Sequence, residues 1–368
     1  MDCLLTVLGG VLQRRRIDGA ASVVAAITTL LAAACSAGGG HPSGPSSTPA
    51  ALSGTITGSG STFQLTFQQL AIHGFKSVQP GVTVKYRADG SGRSRADLAA
   101  GVVDYAATDS APIPPAEVPN FKGRTVLYFP VVIGPITVAY NLPEVRDLRL
   151  SGPVTAGIFQ GVITRWNDPA IAADNPGVTL PDIPITIVHR QDSSGTTQNF
   201  TQFLVDSAPQ VWRLGSDLMV NWPTSSRAAS GNIGVASIVR STLGAVGYVD
   251  FADAKDFGLT YALIRNQAGR YIVPSPTSAS AAASQVHVNP DLTFSAIWAP
   301  GASSYPITYQ SWDVVYERQP NAMVARMLLA WLGYLLGDGQ TMLLSLNYAP
   351  LPSSIDQLAA HQLSKISS

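Results

Sequence analysis

Three short turns rich in glycine, serine and threonine carry the side chains of this chain most able to do chemistry. They read G-S-G-S-T-F at 58–63, D-G-S-G at 89–92 and D-S-S-G-T-T at 192–197, and each follows a strand-like run and opens a helix-like one. The first N–H groups of a helix have no internal partner and carry partial positive charge. Serine and threonine hydroxyls beside those groups can bind an anion, and glycine lets the anion approach the backbone. The turns therefore predict anion binding that needs no net positive charge.

Charged side chains beside the turns extend this chemistry. Arg190 follows a strand-like run at 183–188 and stands two residues before Asp192. A guanidinium there offers a planar, bidentate set of donors for an oxyanion, and Asp192 is placed to orient it. Asp109 closes the segment V-D-Y-A-A-T-D at 103–109 and supplies an acceptor. Taken alone, Arg190 and Asp192 fit an exposed ion pair, and Asp109 fits an acid in a loop.

The composition narrows the class of ligand. Lys and Arg number 23, Asp and Glu also number 23, and charged residues make up 12% of the chain, against roughly 25% in a typical domain. Nucleic-acid binders usually carry a basic patch, so nucleic acid is not an expected partner. Both cysteines, Cys3 and Cys35, lie near the amino terminus. Because clustered His, Asp and Glu at metal-binding spacing are also lacking, no metal or other cofactor is expected.

Patterns typical of enzymes are missing from the sequence. No G-x-S-x-G nucleophile elbow occurs, and none of the three turns fits the nucleotide-binding pattern G-x-x-x-x-G-K-[ST]. His189 fits a neighbour at the end of a strand better than a catalytic base. The chain is therefore not expected to be an enzyme. Two other functions stay open. One is that of a secreted phosphatase, and the other is the binding of an oxyanion such as sulfate or molybdate.

The amino terminus has the layout of a secretory signal. Arg14, Arg15 and Arg16 precede an apolar run at 19–34, which is shorter than the ~18–20 residues that span a bilayer. The run ends in L-A-A-A-C-S, which resembles a bacterial lipoprotein box and predicts a signal peptide at 1–34 and lipidation of Cys35. Secretion with a free Cys35 is the alternative. Residues 35–52, rich in Gly, Ser and Pro, predict a flexible tether that holds a domain at the outer face of the cytoplasmic membrane.

The elements that must position the turns alternate along the chain. Strand-like runs and longer helix-like segments follow one another, a pattern that predicts an α/β architecture with parallel sheets. The strand-like runs are 82–86, 125–132, 136–140, 183–188 and 244–248, and the helix-like segments include 62–78, 94–100, 196–204 and 322–336.

Taken together in this order, the motifs resemble those of the phosphate-binding proteins of bacterial phosphate-specific ABC transporters. The three turns, the segment at 103–109 and the run R-Q-D-S-S-G-T-T at 190–197 all match that family. Further matches are G-V-I-T-R-W-N-D-P-A-I, G-A-V-G-Y-V and N-Y-A-P-L-P, at 161–171, 244–249 and 347–352. The resemblance covers about residues 53–352.

The resemblance implies a fold and a function. The fold is α/β, a two-lobed periplasmic-binding-protein-like fold (type II), in which each lobe is a mostly parallel sheet flanked by helices and a hinge joins the lobes. Lobe I would comprise 53–131 and 308–368, and lobe II 136–304. The function implied is high-affinity binding of inorganic phosphate outside the cytoplasmic membrane and its delivery to an ABC permease.

The resemblance also assigns contacts to the anion, with Asp192 orienting Arg190 and Asp109 selecting phosphate over sulfate. Two departures from the family pattern stand out. Its glycine-rich continuation after the second turn is here R-S-R at 93–95, and the usual acidic residue of its G-N-[DE]-G-V segment is Ile233. Arg93 either adds positive charge near the cleft or faces solvent. The implied contacts are Thr62, Phe63 (backbone), Ser91, Asp109, Arg190, Ser194, Gly195 (backbone) and Thr196.

Overall fold

A computed structural model describes residues 52–368 of the chain. The predicted signal peptide, Cys35 and the tether up to residue 51 lie outside the described residues. The strands are β1 (Gly54–Gly60), β2 (Val82–Arg87), β3 (Tyr105–Thr108), β4 (Val126–Tyr140), β5 (Arg149–Leu150), β6 (Thr186–Arg190), β7 (Arg227–Ala229), β8 (Ala245–Asp250), β9 (Thr260–Tyr261), β10 (Leu263–Arg265), β11 (Tyr271–Ile272) and β12 (Thr308–Tyr316).

Ten α-helices accompany these strands in the described part of the chain, with four short 3-10 helices at Val118–Phe121, Asp338–Met342, Leu344–Leu346 and Leu363–Lys365. The α-helices are α1 (Leu65–Val78), α2 (Ser91–Ala99), α3 (Gly152–Phe159), α4 (Pro169–Asp174), α5 (Gly195–Ser207), α6 (Gly231–Ser241), α7 (Phe251–Asp256), α8 (Pro276–Ala283), α9 (Ala322–Leu336) and α10 (Ser353–Gln362). Within residues 52–368, none of these helices is long and apolar enough to span a membrane.

One large mixed sheet organises the molecule. Its strand order is β2-β1-β3-β12-β4-β8-β6-β7, with β9 added beside β4. The outer strands pair in parallel on both sides, β2 with β1 and β1 with β3 at one end, β8 with β6 and β6 with β7 at the other. The central strands β12 and β4 are antiparallel to their neighbours. The predicted parallel pairing therefore holds for the outer strands.

A two-stranded ribbon formed by β4 and β12 joins the two halves of the sheet. The amino-terminal part of β4, from Val126 to Pro135, forms nine residue pairs with β12, and its carboxyl-terminal part pairs with β8. The register of the ribbon shifts between Ser311 and Trp312, where a bulge lies. The prediction of two separate strands at 125–132 and 136–140 is wrong, because β4 continues through Pro130 and Pro135 as one strand.

The glycines of the first turn serve close packing between strands. Gly58 and Gly60 end β1, and a β-carbon at Gly58 would lie 2.1 Å from the Tyr105 ring. At Gly60, where φ is +143°, a β-carbon would lie 1.9 Å from the Ala107 carbonyl oxygen. Strand β1 can therefore approach β3 closely only with glycine at both positions. The turn proper comprises Ser61 to Gln64, and α1 begins at Leu65, three residues later than the predicted helix start.

Helix α9 covers the sheet with an apolar face and matches the prediction at 322–336. Asn321 caps it by accepting a hydrogen bond from the Val324 N–H at 3.0 Å. Leu328, Trp331 and Leu335 recur at helical spacing and are fully buried. The apolar character that also fits a membrane helix is therefore explained by packing in the core.

Candidate functional site

Asp109 lies at the centre of a buried cluster of hydroxyl groups. Ser61 and Ser311 each donate to its Oδ1 at 2.5 Å, and Ser91 donates to its Oδ2 at 3.2 Å. Asp109 is 2% exposed, and its N–H also donates to Ser91 Oγ at 3.1 Å. Asn199 Nδ2, from α5, donates to its carbonyl oxygen at 2.6 Å. Burial raises the pKa of Asp109, while the hydroxyl donors and the charge of Arg190 oppose that rise.

Arg95 holds the backbone on both sides of Asp109. Its Nη1 donates to Thr108 Oγ1 at 3.1 Å and to the Ser110 carbonyl oxygen at 3.4 Å. Its Nε and Nη2 each bind the Glu117 carboxylate at 2.7 Å. Arg95 is fully buried. The arginine therefore braces the turn and does not add charge to a solvent-facing cleft.

Arg93 faces solvent and also lies close to the predicted phosphate contacts. Its side chain is 65% exposed and its Nε donates to Asp97 at 2.8 Å. Arg93 and Thr62 also line a cavity of about 540 Å³, together with Asp192 and Gly231. Arg93 thus faces solvent at the rim of this cavity.

Arg190, at the end of β6, is held by three elements. Its Nε donates to Asp192 Oδ1 at 2.8 Å, and its Nη2 donates to Asp192 Oδ2. Its Nη1 donates to Asn232 Oδ1 at 2.8 Å and to Thr196 Oγ1 at 3.5 Å. Although burial acts to lower it, the hydrogen bonds and charge of Asp192 raise the pKa of Arg190. Arg190 is 4% exposed, so its pair with Asp192 is not the exposed ion pair that the sequence also allowed.

Asp192 binds the Arg190 guanidinium and is itself held by the start of α6. The Gly231 N–H donates to Asp192 Oδ1 at 3.0 Å. Burial acts to raise the pKa of Asp192, but the hydrogen bonds and charge of Arg190 outweigh it and lower that pKa. Asp192 is therefore a carboxylate that keeps the guanidinium charged and in place.

The start of α5 brings the third turn against the second. A β-carbon at Gly195 would lie 2.6 Å from Ser91 Oγ and 2.7 Å from Asp109 Cβ. Ser194 caps α5, its Oγ accepting from the Thr197 N–H at 3.2 Å. This bond uses a lone pair of the hydroxyl, so the Ser194 proton stays available for an anion. The two ends of the sheet thus meet at Asp109 and Gly195.

Thr62 and Phe63 complete the set of predicted residues. Thr62 Oγ1 is buried and has no hydrogen-bond partner within residues 52–368. Its Cγ2 lies 3.7 Å from the point where a β-carbon at Gly231 would be, so Thr62 faces the Arg190–Asp192 pair. The Phe63 ring is buried, and the Tyr348 hydroxyl donates to its carbonyl oxygen at 2.7 Å.

Five of the predicted residues lie together between the two ends of the sheet. Ser91 and Gly195 contact Asp109. Arg190 binds Thr196, the residue after Gly195. Sequence reasoning missed Ser61, Ser311 and Asn232, which contact Asp109 or Arg190 directly. Ser61 lies inside the first motif and Asn232 inside the G-N-I-G-V segment, so both had a local signal. Ser311 had none. Ile233, the departure in that segment, is 48% exposed.

The arrangement combines many donors with a single buried acceptor group. Hydroxyl groups and the N–H groups at a helix start surround one guanidinium and one carboxylate. Donors of this kind bind the oxygens of a tetrahedral oxyanion. A carboxylate among them repels an anion without a proton and accepts a hydrogen bond from one that carries a proton.

Comparisons with known proteins agree with this geometry. The family model of the PBP superfamily domain matches residues 45–338. The phosphate-binding protein PstS of Pasteurella multocida (strain Pm70) is 33% identical over 309 residues, which cover 82% of this chain and 88% of that protein.

Two solved structures show the same fold. One is a high affinity periplasmic phosphate-binding protein bound with phosphate, with a TM-score of 0.69 and 20% identity over 84% of this chain and 94% of that chain. The other is an ABC-type phosphate transport receptor from Vibrio cholerae, with a TM-score of 0.54 and 17% identity over 81% of this chain and 100% of that chain. The predicted α/β, two-lobed periplasmic-binding-protein-like fold is confirmed.

Proposed function

Because this chain belongs to the PstS phosphate-binding proteins of the PBP superfamily, we propose that it binds inorganic phosphate outside the cytoplasm for import by an ABC transporter. The anion would lie between the two lobes, where Asp109, Gly195 and Arg190 converge. Supporting this placement, Gly195 lies against Ser91 and Asp109, and all three are residues that the family motifs assign to phosphate.

The contacts are sufficient for tight binding. A hydrogen bond to a charged group contributes roughly 1.5–3 kcal/mol, and micromolar affinity requires about 8 kcal/mol in total. The predicted contacts come from Thr62, Phe63, Ser91, Asp109, Arg190, Ser194, Gly195 and Thr196. Part of their sum offsets the desolvation of phosphate and the ordering of the cleft, which leaves enough for affinity in the micromolar range or tighter.

The single observation that carries the proposal is the carboxylate of Asp109 among donors. A carboxylate there accepts a hydrogen bond from the O–H group of HPO₄²⁻ or H₂PO₄⁻, whereas sulfate carries no proton near neutral pH and presents only lone pairs. Arsenate carries the same number of protons as phosphate near neutral pH. The site therefore favours phosphate and arsenate over sulfate and molybdate.

Calorimetric titration of the purified protein with phosphate, arsenate and sulfate tests this function. Saturable binding of phosphate and arsenate, with no heat from sulfate, is the expected result. Comparable binding of sulfate would contradict it. Hydrolysis of a chromogenic phosphate ester by the same preparation would favour the secreted phosphatase instead.

Delivery to a permease is the further step of the proposal. We assign lobe I to 53–131 and 308–368 and lobe II to 136–304, divided at the ribbon of β4 and β12. Closure of the lobes around phosphate would create a surface that the permease recognises. Phosphate-dependent co-purification with the permease subunits would support this step, and its absence in both ligand states would argue for a phosphate sensor.

An anchor at Cys35 would hold the protein at the outer face of the cytoplasmic membrane. The proposal rests on the L-A-A-A-C-S sequence that ends the apolar run and on the tether that follows it. Incorporation of labelled palmitate into the full chain, abolished in Cys35→Ala, is the expected result. Equal labelling of both chains would contradict acylation at Cys35.

A further inference from the structure

Tyr309 carries a buried hydroxyl that the structure leaves without a partner. The residue is fully buried, and among the described residues its Oη has no hydrogen-bond partner. A buried hydroxyl that has lost water and gained no partner is costly, so such groups in folded proteins usually have a specific reason. Thr62 Oγ1, which belongs to the predicted phosphate site, is unpartnered in the same way.

The position of Tyr309 on the ribbon directs its side chain toward the site. It lies on β12 two residues before Ser311, and the register shift of the ribbon comes only after Ser311. Residues two apart on a strand point to the same face, and Ser311 donates to Asp109. The Tyr309 ring packs on Phe63 with the ring centroids 4.1 Å apart. The phenol is thus held between the first turn and the Asp109 cluster.

The surroundings of the hydroxyl are those of the anion site. Burial raises the pKa of Tyr309 well above 10.0, the charges of Asp250 and Asp109 raise it further, and a weak hydrogen-bond contact with the Thr196 side chain acts to lower it. That contact falls short of the geometry of a formed hydrogen bond, so the hydroxyl still has no well-formed bond within residues 52–368. Thr196, a predicted phosphate contact, is therefore an immediate neighbour of the phenol. With so high a pKa, Tyr309 stays neutral and keeps its proton to donate.

Two other buried tyrosines show what a satisfied hydroxyl looks like in this fold. Tyr305 donates to the Ile136 carbonyl oxygen at 2.8 Å, and Tyr348 donates to the Phe63 carbonyl oxygen at 2.7 Å. Both are buried to the same degree as Tyr309. Burial alone therefore does not leave a tyrosine unpaired here.

We propose that Tyr309 donates a hydrogen bond to the bound anion beside Thr196, a contact beyond those that the family motifs assign. The inference rests on the proposed phosphate function and extends it. Tyr309 is then a residue that sets affinity by touching the ligand, and its hydroxyl makes a well-formed hydrogen bond only when phosphate is bound.

Paired measurements on Tyr309→Phe and Tyr305→Phe test this role. Each variant loses one oxygen atom from the full chain, and thermal unfolding is followed with and without phosphate beside calorimetric titration. For Tyr309→Phe we expect a melting temperature without phosphate equal to or above that of the wild type, because an unpaired hydroxyl is removed. Its Kd for phosphate should rise about 10- to 100-fold, the loss of one hydrogen bond to a charged group. For Tyr305→Phe we expect a lower melting temperature and an unchanged Kd.

The outcomes separate this inference from the proposed function. If wild-type protein binds phosphate and Tyr309→Phe binds it equally well, the hydroxyl faces a trapped water and the inference is wrong. If Tyr309→Phe melts at a lower temperature and binds with the wild-type Kd, the residue is structural only.

Should wild-type protein show no phosphate binding at all, the proposed function fails and this inference fails with it. Should Tyr309→Phe fail to fold, Tyr309→Leu is measured in the same way and must also weaken binding.

Discussion

The α-carbon of Gly195 lies directly against the side chain of Asp109, so that a β-carbon at Gly195 would stand 2.9 Å from Asp109 Oδ2. The two residues belong to opposite ends of the sheet and are 86 positions apart in the chain. Close approach of the lobes at this point therefore requires glycine.

Replacing Gly195 with alanine is expected to weaken phosphate binding. The added methyl group overpacks the contact with Ser91 and Asp109, at a cost of about 1–3 kcal/mol, which corresponds to a Kd roughly 10- to 100-fold higher. Calorimetric titration measures the change. Gly333→Ala is the control, because its β-carbon would meet only Leu363 Cδ1, at 3.9 Å. Equal Kd values for Gly195→Ala and wild type would show that the lobes bind phosphate without this contact.

Asp109→Asn is expected to reduce discrimination between phosphate and sulfate. The amide presents no negative charge to sulfate, and like-charge contacts cost several kcal/mol, so the ratio of the two affinities should fall about tenfold or more. Because burial raises the pKa of Asp109, the wild-type protein should also begin to bind sulfate as acid protonates this carboxyl group. Competition titrations over a pH series measure both effects.

The control for that experiment is Asp104→Asn. Asp104 lies just before β3 and accepts hydrogen bonds from the Thr57 N–H and hydroxyl, away from the predicted contacts. The affinity of the Asp104→Asn protein for sulfate should equal that of the wild type. An Asp109→Asn protein that still rejects sulfate would remove Asp109 from the basis of selectivity.

The two arginines of the R-S-R segment are expected to differ in their effect on stability. Arg95→Met leaves Glu117 without its buried partner and should lower the free energy of unfolding by about 3 kcal/mol. Arg93→Gln removes an exposed guanidinium from Asp97, which keeps its ion pair with Arg87, and should change the free energy of unfolding by less than about 1 kcal/mol. Urea unfolding of both variants measures the difference, and equal effects would contradict the assigned roles.

Asp313 is expected to make stability fall as pH rises from acid to neutral. Burial raises its pKa to about 7, while hydrogen bonds from Gln68 and Gln64 act to lower it. In the unfolded chain the same carboxyl group releases its proton near pH ~4. Between these two values the folded state holds a proton that the unfolded state has lost, so the free energy of unfolding decreases with pH and levels off above about 7.

Asp313→Asn should remove this pH dependence while keeping the shape of the side chain. Urea unfolding of wild type and variant at several values between about pH 5 and pH 8 isolates the contribution, since every other titrating group is common to both. The free energy of unfolding of Asp313→Asn minus that of the wild type should increase as pH rises. A constant difference would show that the Asp313 carboxyl group titrates alike in both states.

Local signals predicted a large part of this molecule. Helix α9 matched its predicted bounds because both its helical spacing of apolar residues and its Asn321 cap are written within one short segment. The second and third turns open α2 and α5 directly, at Ser91 and Gly195. The pair Arg190 and Asp192 was recognisable because only one residue separates them.

Contacts between distant segments were beyond local reading. Ser311 and Asp109 are 202 positions apart, and no pattern near Ser311 distinguishes it from any other serine of a strand. The strand-like runs predicted at 125–132 and 136–140 left a gap at 133–135, yet β4 continues through it as one strand. The unpaired hydroxyl of Tyr309 depends on what surrounds it in three dimensions and has no counterpart in the sequence.

The register shift of the ribbon follows immediately after Ser311, the same residue whose hydroxyl holds Asp109. If the lobes part by bending the ribbon at this irregular point, Ser311 would move and its hydrogen bond to Asp109 would change. On the proposed division into lobes, opening of the cleft and loss of a contact to the predicted phosphate site would then occur together.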